Sequence, residues 1–258
     1  MSSVPVVVAG LQLAYPAGES RADRVDRVTT LVDAAPDADL LVLPELWDVG
    51  YFGFDDYERT ATPLAEGPVL ALAEKAARRR CTVVCGSVLE RDGDRIYNTA
   101  AVVGPAGEIL GTYRKTRLFG YGSREASILS PGSGPQAVTT AVGVLGLATC
   151  FDLRFPDHFT ALRRLGADVF VVPAAWPRER AEQWHVLVRA RAIDGQTPVA
   201  AVNGTGPCHD VELAGGSLVV DARGQVLARA GAMEGWIAAE LDHGDTRRWR
   251  EEFPLPEP

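Results

Sequence analysis

Several things that would point to particular functions are scarce or missing from this chain. It has four cysteines among 258 residues, Cys81, Cys85, Cys150 and Cys208. Without a secretory leader, so few do not make a disulfide framework. Cys81 and Cys85 sit in a Thr-Val-Val-rich stretch and read as small buried hydrophobes. No second Cys/His pair at zinc spacing accompanies them, so no metal is expected. Basic residues are outnumbered, 26 to 34, for a net charge of −8, and the largest basic block is Arg78-Arg79-Arg80. That balance argues against a nucleic-acid partner. No apolar run is long enough to cross a bilayer, and the opening MSSVPVVVAG lacks the basic start of a signal peptide. A soluble, cytoplasmic protein without a membrane partner is expected. Phosphate-loop and dinucleotide fingerprints are absent too.

What is present is ordinary globular material, 47% hydrophobic and 23% charged, with enough apolar surface to offset chain entropy. Short β-branched runs recur, each bounded by Gly, Pro, Asp or Asn as strands are. They are Val6–Leu13, Leu40–Leu43, Thr82–Leu89, Thr99–Val103, Val142–Ala148, Val169–Val172, Val199–Val202, Leu218–Val220 and Trp236–Glu240. Helical periodicity lies between them at Ala22–Ala34, Pro68–Arg80, Phe159–Leu165 and Arg180–Ile193. The turns Gly104–Gly107 and Asp221–Gly224 predict two hairpins. Helices alternating with strands, plus hairpins, predict an α/β layered fold with mixed sheets. One domain over 1–258 is the simplest count. The proline-rich tail, from about residue 250 to Pro258, is expected to be extended.

Three reactive residues directly follow apolar runs, where α/β proteins gather functional groups. Glu45 follows Leu40–Leu43 and Pro44, beside Leu46 and Trp47. Desolvation there would raise its pKa and make it a usable base, although a capping or surface glutamate would look the same. Lys115 closes the run in GTYRKTRLFG and either faces a developing oxyanion or projects into water. Cys150 stands between a strand and the helical pattern opened by Pro156, a strand–elbow–helix arrangement that exposes a nucleophile. Nearby amides and a cation would lower its thiol pKa. The rival is a buried structural cysteine; Asp152 and Arg154 beside it favour the catalytic reading. A second candidate nucleophile, Cys208 next to His209, is poorly placed, because adjacent residues of an extended chain point apart.

The segments PELWDVGY, YRKTRLF and CFDLRFP, in this order, resemble the glutamate, lysine and cysteine signatures of the nitrilase, or carbon–nitrogen hydrolase, superfamily. The resemblance runs from Val6 to about Leu241 and takes in Pro173–Gln196 and Gly215–Ala228. It implies a four-layer α-β-β-α sandwich with mixed sheets, assembled as a homodimer or larger homo-oligomer, with no cofactor. It further implies Glu45 as general base, Lys115 as oxyanion-stabilising cation and Cys150 as nucleophile. Glu125, in GSREASILSPG, is the best match to the family's second glutamate. The family often carries histidine where this chain has Arg117, a departure expected to affect packing or substrate preference.

The stretch AAWPRERAEQWHVLVRARAIDGQ most resembles the ω-amidase branch. That implies a small amide substrate carrying a carboxylate, cleaved with release of ammonia through a thioester. Arg154, Arg178 and Arg180 are candidate carboxylate partners, with Trp176, Tyr51 and Phe151 as further substrate-binding candidates. An N-carbamoyl amino acid amidohydrolase and a nitrilase are the neighbouring alternatives. A non-catalytic binding or assembly protein of the same fold is the rival from another class.

Overall fold

Short apolar runs, buried on both faces in the central strands, build this fold. The structure, a computed structural model, describes residues 5–255. The first half comprises β1 (Val6–Ala14), α1 (Arg21–Asp33), β2 (Leu40–Val42), α2 (Tyr57–Thr60), α3 (Pro68–Arg79), β3 (Thr82–Val84), β4 (Val88–Asp92), β5 (Arg95–Val103) and β6 (Ile109–Arg114). Next come α4 (Glu125–Ile128), β7 (Gln136–Thr140), β8 (Gly143–Leu147), α5 (Pro156–Arg164), β9 (Val169–Ala174) and α6 (Ala181–Gly195). The chain closes with β10 (Val199–Cys208), β11 (Val211–Ala214), β12 (Leu218–Val220), β13 (Val226–Arg229), β14 (Gly235–Leu241) and α7 (His243–Glu252).

The strands run β4-β5-β3-β2-β1-β10-β9-β8-β7, with β14 beside β1, β6 beside β5, and β11, β12 and β13 built out from β10. Parallel pairings join β3, β2 and β1, and likewise β10, β9 and β8, while the predicted hairpins β5–β6 and β12–β13 are antiparallel. The sheets are therefore mixed. Strand β1 links the two halves: Val6–Gln12 pair with β14, and Leu13 and Ala14 pair with β10.

Successive side chains on a strand face opposite ways, so each half contributes to two apolar layers. Leu40, Val42, Ala100, Val102, Leu145, Leu147, Val169, Val171, Ala200 and Val202 meet in a central layer between the two halves. Their neighbours Leu41, Val83, Ala101 and Val103 turn instead toward Val28 and Val32 of α1 and Leu72 and Ala76 of α3. On the opposite side, Phe170, Val172, Val199 and Ala201 pack against Phe159 and Leu162 of α5 and Trp184 and Val188 of α6. The outcome is the expected α-β-β-α sandwich. Each fully buried Leu or Val in it is worth about 1.5–3 kcal/mol.

Among the segments assigned from sequence, three depart from the expectation. The run Thr82–Leu89 is two strands, because Gly86, at a φ of 60°, and Ser87 turn away after Cys85 to brace the Glu45 turn. Strand β10 continues to Cys208, past the expected Val202, since its second half finds partners in β1 and β11. The tail, expected to be extended from about residue 250, is helical through Glu252. Asp242 caps α7, accepting from the amides of Gly244 and Asp245, and Phe253 stacks on Trp249. Residues 256–258 lie outside the described residues.

Candidate active site

The ends of β2, β6 and β8 converge at one point. Beyond β2 the chain turns at Pro44, and Leu46 takes a left-handed φ of 43°. That turn is held from behind by the 85–87 segment. Ser87 donates its amide to the Pro44 carbonyl and accepts the Leu46 amide on its hydroxyl, while Trp47 Nε1 donates to the Cys85 carbonyl. Gly86 is required here: with φ at +60°, a Cβ would lie 1.9 Å from the Pro44 carbonyl oxygen. The Glu45 carboxylate is thereby fixed, fully buried, with Oε2 accepting the Ala175 amide at 3.0 Å.

Lys115 is the first residue past β6. Its amide donates to the Asn98 carbonyl, and its own carbonyl accepts from Gly132. A Cβ on Gly132 would come within 2.0 Å of the Arg114 carbonyl oxygen, so only glycine permits this close crossing. Lys115 Nζ donates to Glu45 Oε1 at 2.8 Å and to Glu125 Oε1 and Oε2 at 2.9 and 3.0 Å. Glu125 opens the short helix α4 and is fully buried.

Cys150 begins a 3₁₀ turn, Cys150–Arg154, with a left-handed φ of 45°. Non-glycine residues hold that conformation only where the surroundings impose it. Buried Asp152 does so: its Oδ2 accepts the Thr149 amide at 2.8 Å and the Tyr113 hydroxyl at 2.7 Å, and its Oδ1 accepts the Arg117 amide at 3.2 Å. One carboxylate thus ties the cysteine elbow to the lysine segment.

Burial dominates the ionisation of this cluster. It pushes the Glu45 carboxyl up against the opposing pull of Lys115, and Glu125 adds to the rise. Burial alone would lower the Lys115 ammonium, but Glu125 and Glu45 outweigh it and hold the pKa well above the ordinary value. The Cys150 thiol goes the opposite way to the expectation. Burial first, and the Glu45 charge second, push it well up, beyond what Lys115 recovers. A dry site with a neighbouring carboxylate disfavours the thiolate. Both directions favour a protonated thiol beside the Glu45 carboxyl over a preformed thiolate.

The two glutamates differ in their hydrogen bonding. Glu125 receives Lys115 on both oxygens, Asn98 on Oε1, and the Tyr51 hydroxyl and Phe119 amide on Oε2. Glu45 receives Lys115 and Asn98 on Oε1 and only the Ala175 amide on Oε2. Its Oε2 keeps acceptor capacity, and the Cys150 thiol is among its hydrogen-bonding neighbours. A carboxylate against a thiol, with a fixed cation alongside, is a constellation able to run nucleophilic acyl chemistry.

Cys150 opens onto a cavity of about 580 Å³. Phe151, Arg154, Trp176, Tyr51 and Arg178, all predicted from sequence, line it, and Arg180 does too. Trp176 is both wall and core: it faces the cavity and packs on Trp184 with ring centroids 5.6 Å apart. Arg154 lies over Trp176, 4.9 Å from the ring centroid, and forms no ion pair among the described residues. Arg178 is largely exposed and paired with Glu212 at 3.2 Å, at the rim. Tyr51 presents its ring to the cavity, but its hydroxyl is committed to Glu125 and Ser123.

Arg117 stands away from this cavity. It rests over Phe155 and pairs with Asp157 at 2.9 Å, a packing role on α5. Cys208 is buried outside the cavity lining, beneath Gly50. Sequence reasoning missed Asn98, although an amide inside the apolar strand β5 is a signal in itself, since a buried amide must find partners. It also missed the backbone donors of Ala175 and Phe119, which no side-chain pattern announces.

The chain is similar to known proteins in sequence and in fold. The model of the carbon–nitrogen hydrolase family matches residues 7–251. A 2-oxoglutaramate amidase of Paenarthrobacter nicotinovorans is 34% identical over 256 residues, spanning 96% of this chain and 87% of that protein. Omega-amidase NIT3 of Saccharomyces cerevisiae is 31% identical over 273 residues, spanning 98% of this chain and 92% of the yeast protein. The crystal structure of yeast Nit3, a member of branch 10 of the nitrilase superfamily, superposes with a TM-score of 0.89 at 30% identity. That superposition covers 98% of this chain and 96% of the yeast chain.

Proposed function

This chain belongs to the carbon–nitrogen hydrolase family, and on that premise we propose that it is a cysteine-dependent amidase. Its substrate in this reading is the terminal amide of a small carboxylate-bearing acid of the 2-oxoglutaramate type. The observation that carries the proposal is the Glu45–Lys115–Glu125 cluster sealed behind Cys150 at the foot of a cavity that also holds Arg154.

Cys150 Sγ attacks the amide carbonyl carbon while Glu45 takes the thiol proton. A carboxylate pushed above its usual range is suited to that transfer. The oxyanion is held by Lys115 and the Phe151 amide; in a dry site one such donor is worth about 2.7–4 kcal/mol of barrier. Lys115 has one N–H on Glu45 and straddles Glu125 with another, which leaves the third for the oxyanion. The C–N bond breaks as Glu45 passes its proton to nitrogen, and ammonia leaves. A thioester on Cys150 remains. Water, deprotonated by Glu45, attacks that carbonyl; the C–S bond breaks, the proton returns to sulfur and the acid departs.

Arg154 is the cation for the substrate carboxylate: it lines the cavity within electrostatic reach of Cys150 and forms no ion pair among the described residues. The 2-oxoglutaramate amidase relative favours this substrate class over a nitrile or a carbamoyl group. Four buried, unpaired thiols favour a reducing, cytoplasmic compartment. Exposed Leu165, Val186 and Ile193 favour assembly of two or more copies of a single catalytic domain.

The experiment is ammonia release from 2-oxoglutaramate, 2-oxosuccinamate, N-carbamoyl amino acids and simple nitriles, by the wild type and by Cys150→Ala. Turnover of the two keto-acid amides, abolished in Cys150→Ala, is expected. Preferential turnover of a carbamoyl amino acid or a nitrile would replace the substrate reading. Activity surviving in Cys150→Ala would overturn the mechanism.

A further inference from the structure

Asn98 stands in the middle of β5, fully buried. Its Nδ2 donates to Glu45 Oε1 at 2.8 Å and to Glu125 Oε1 at 3.0 Å, and its carbonyl receives the Lys115 amide at 2.8 Å. A single residue therefore touches all three charged members of the cluster. Its side-chain Oδ1 has no hydrogen-bond partner among the described residues. In a buried amide, leaving the acceptor bare costs free energy, so the orientation is set by the two carboxylates that demand the donors.

Only a primary amide suits this position. Two carboxylates share one cation, so the cluster is short of donors by the measure of its charges. A second cation would neutralise Glu45 too well to leave it a base. A hydroxyl offers one hydrogen, and a carboxylate offers acceptors to acceptors. The amide supplies two hydrogens and no charge.

We propose that Asn98 is a positioning residue that keeps Glu45 ionised and aimed at Cys150. It does so by donating to Glu45 while tethering it, through the same NH₂ group, to Glu125. The inference rests on Glu45 being the base of the reaction proposed above. The groups that face Glu45 are Lys115 after β6, Glu125 on α4, Cys150 at the elbow after β8, and the phenols of Tyr15, Tyr51 and Tyr57. Of these only Lys115 is a cation. Donors to the ionised form favour it, so removing the Asn98 hydrogens raises the Glu45 pKa further. The base then works only at higher pH.

The test compares wild type, Asn98→Leu, which keeps volume without donors, and Asn98→Asp, which keeps shape but turns donors into acceptors. Folding is monitored by circular dichroism, and kcat/KM for 2-oxoglutaramate is measured across pH. A second readout, free of substrate, is the rate of Cys150 alkylation by iodoacetamide over the same range. The acid limb of both profiles should move up by roughly one pH unit in Asn98→Leu and further in Asn98→Asp. The loss should be mainly in kcat, and Asn98→Leu should recover part of its activity as pH rises.

A folded variant whose activity falls equally at every pH, with the limb unmoved, overturns the proposal. Loss of the fold in both variants also overturns it, since Asn98 would then be a structural residue. Cys150→Ala separates the two levels. Retained turnover there sinks the underlying reaction, whereas an inactive Cys150→Ala with unmoved limbs sinks only the role of Asn98.

Discussion

Nζ of Lys115 lies 2.8 Å from Oε1 of Glu45, with neither side chain exposed to solvent. Removing one partner from such a contact leaves an uncompensated buried charge, which costs about 3–5 kcal/mol. Here two carboxylates would be left facing each other without their cation. Lys115→Met should therefore lose stability by about that amount in a urea melt, as well as turnover. Lys115→Met retaining wild-type stability would mean that the carboxylates find water or protonate at little cost.

The upward shifts of the Cys150 thiol and the Glu45 carboxyl imply a pH dependence. The Glu45 pKa lies above its ordinary value because of burial, so the unprotonated base appears only as pH rises through that elevated value. Activity should therefore be lost on acidification earlier than an ordinary carboxylate, at about 4.3, would require. Iodoacetamide labelling of Cys150 should follow the same limb, since the proposed mechanism has Glu45 take the thiol proton. Labelling of Cys85, whose thiol burial pushes up to about 12, should be negligible at neutral pH. Glu45→Gln should slow both turnover and Cys150 labelling by about 10²–10⁴-fold. Fast, pH-independent labelling of Cys150 would reveal a resting thiolate and contradict this scheme.

The fold and the core of the site were legible for a common reason. Leu40–Leu43 and Val142–Ala148 announce themselves as short apolar runs and the hairpin after Arg95–Val103 by its Gly-Pro-Ala-Gly turn, and Glu45, Lys115 and Cys150 each follow such a segment. What escaped depends on contacts far apart in sequence. Asn98 meets Glu45 only because β5 and the end of β2 come together across the sheet. The Cys150 thiol was expected to be acidified by its elbow amides and a cation. Only the three-dimensional cluster brings in burial and the Glu45 charge, both of which push the thiol up. Strand β7 and helix α7 are missed because Gln136–Thr140 and His243–Glu252 are too polar to show a buried face.

Gly86 offers a backbone test of how Glu45 is held. In Gly86→Ala the new Cβ would meet the Pro44 carbonyl oxygen, and the left-handed conformation adds about 1–2 kcal/mol of its own. The variant should be destabilised by at least about 2 kcal/mol, with overpacking adding to the backbone strain. Because the displaced segment carries Glu45, the folded fraction should also lose kcat. A Gly86→Ala protein of unchanged Tm and kcat would show that the 85–87 brace is dispensable.

In the proposed reaction, substrate choice turns on Arg154. Its guanidinium lines the cavity over Trp176, and burial, followed by repulsion from Arg180, lowers its pKa from the usual value. A cation under that pressure gains from an incoming anion. A charge-assisted hydrogen bond of this kind is worth about 1.5–3 kcal/mol. Arg154→Leu should therefore raise KM for 2-oxoglutaramate by about tenfold to a hundredfold, while a neutral aliphatic amide of similar length is turned over no worse than by the wild type. Arg154→Lys should fall between, since it keeps the charge but not the planar fork. Because Arg154 also reaches Gln183 on α6, a packing defect would depress both substrates alike. The ratio of the two kcat/KM values is thus the informative measurement, and an unchanged ratio would remove Arg154 from substrate recognition and shift attention to Arg180.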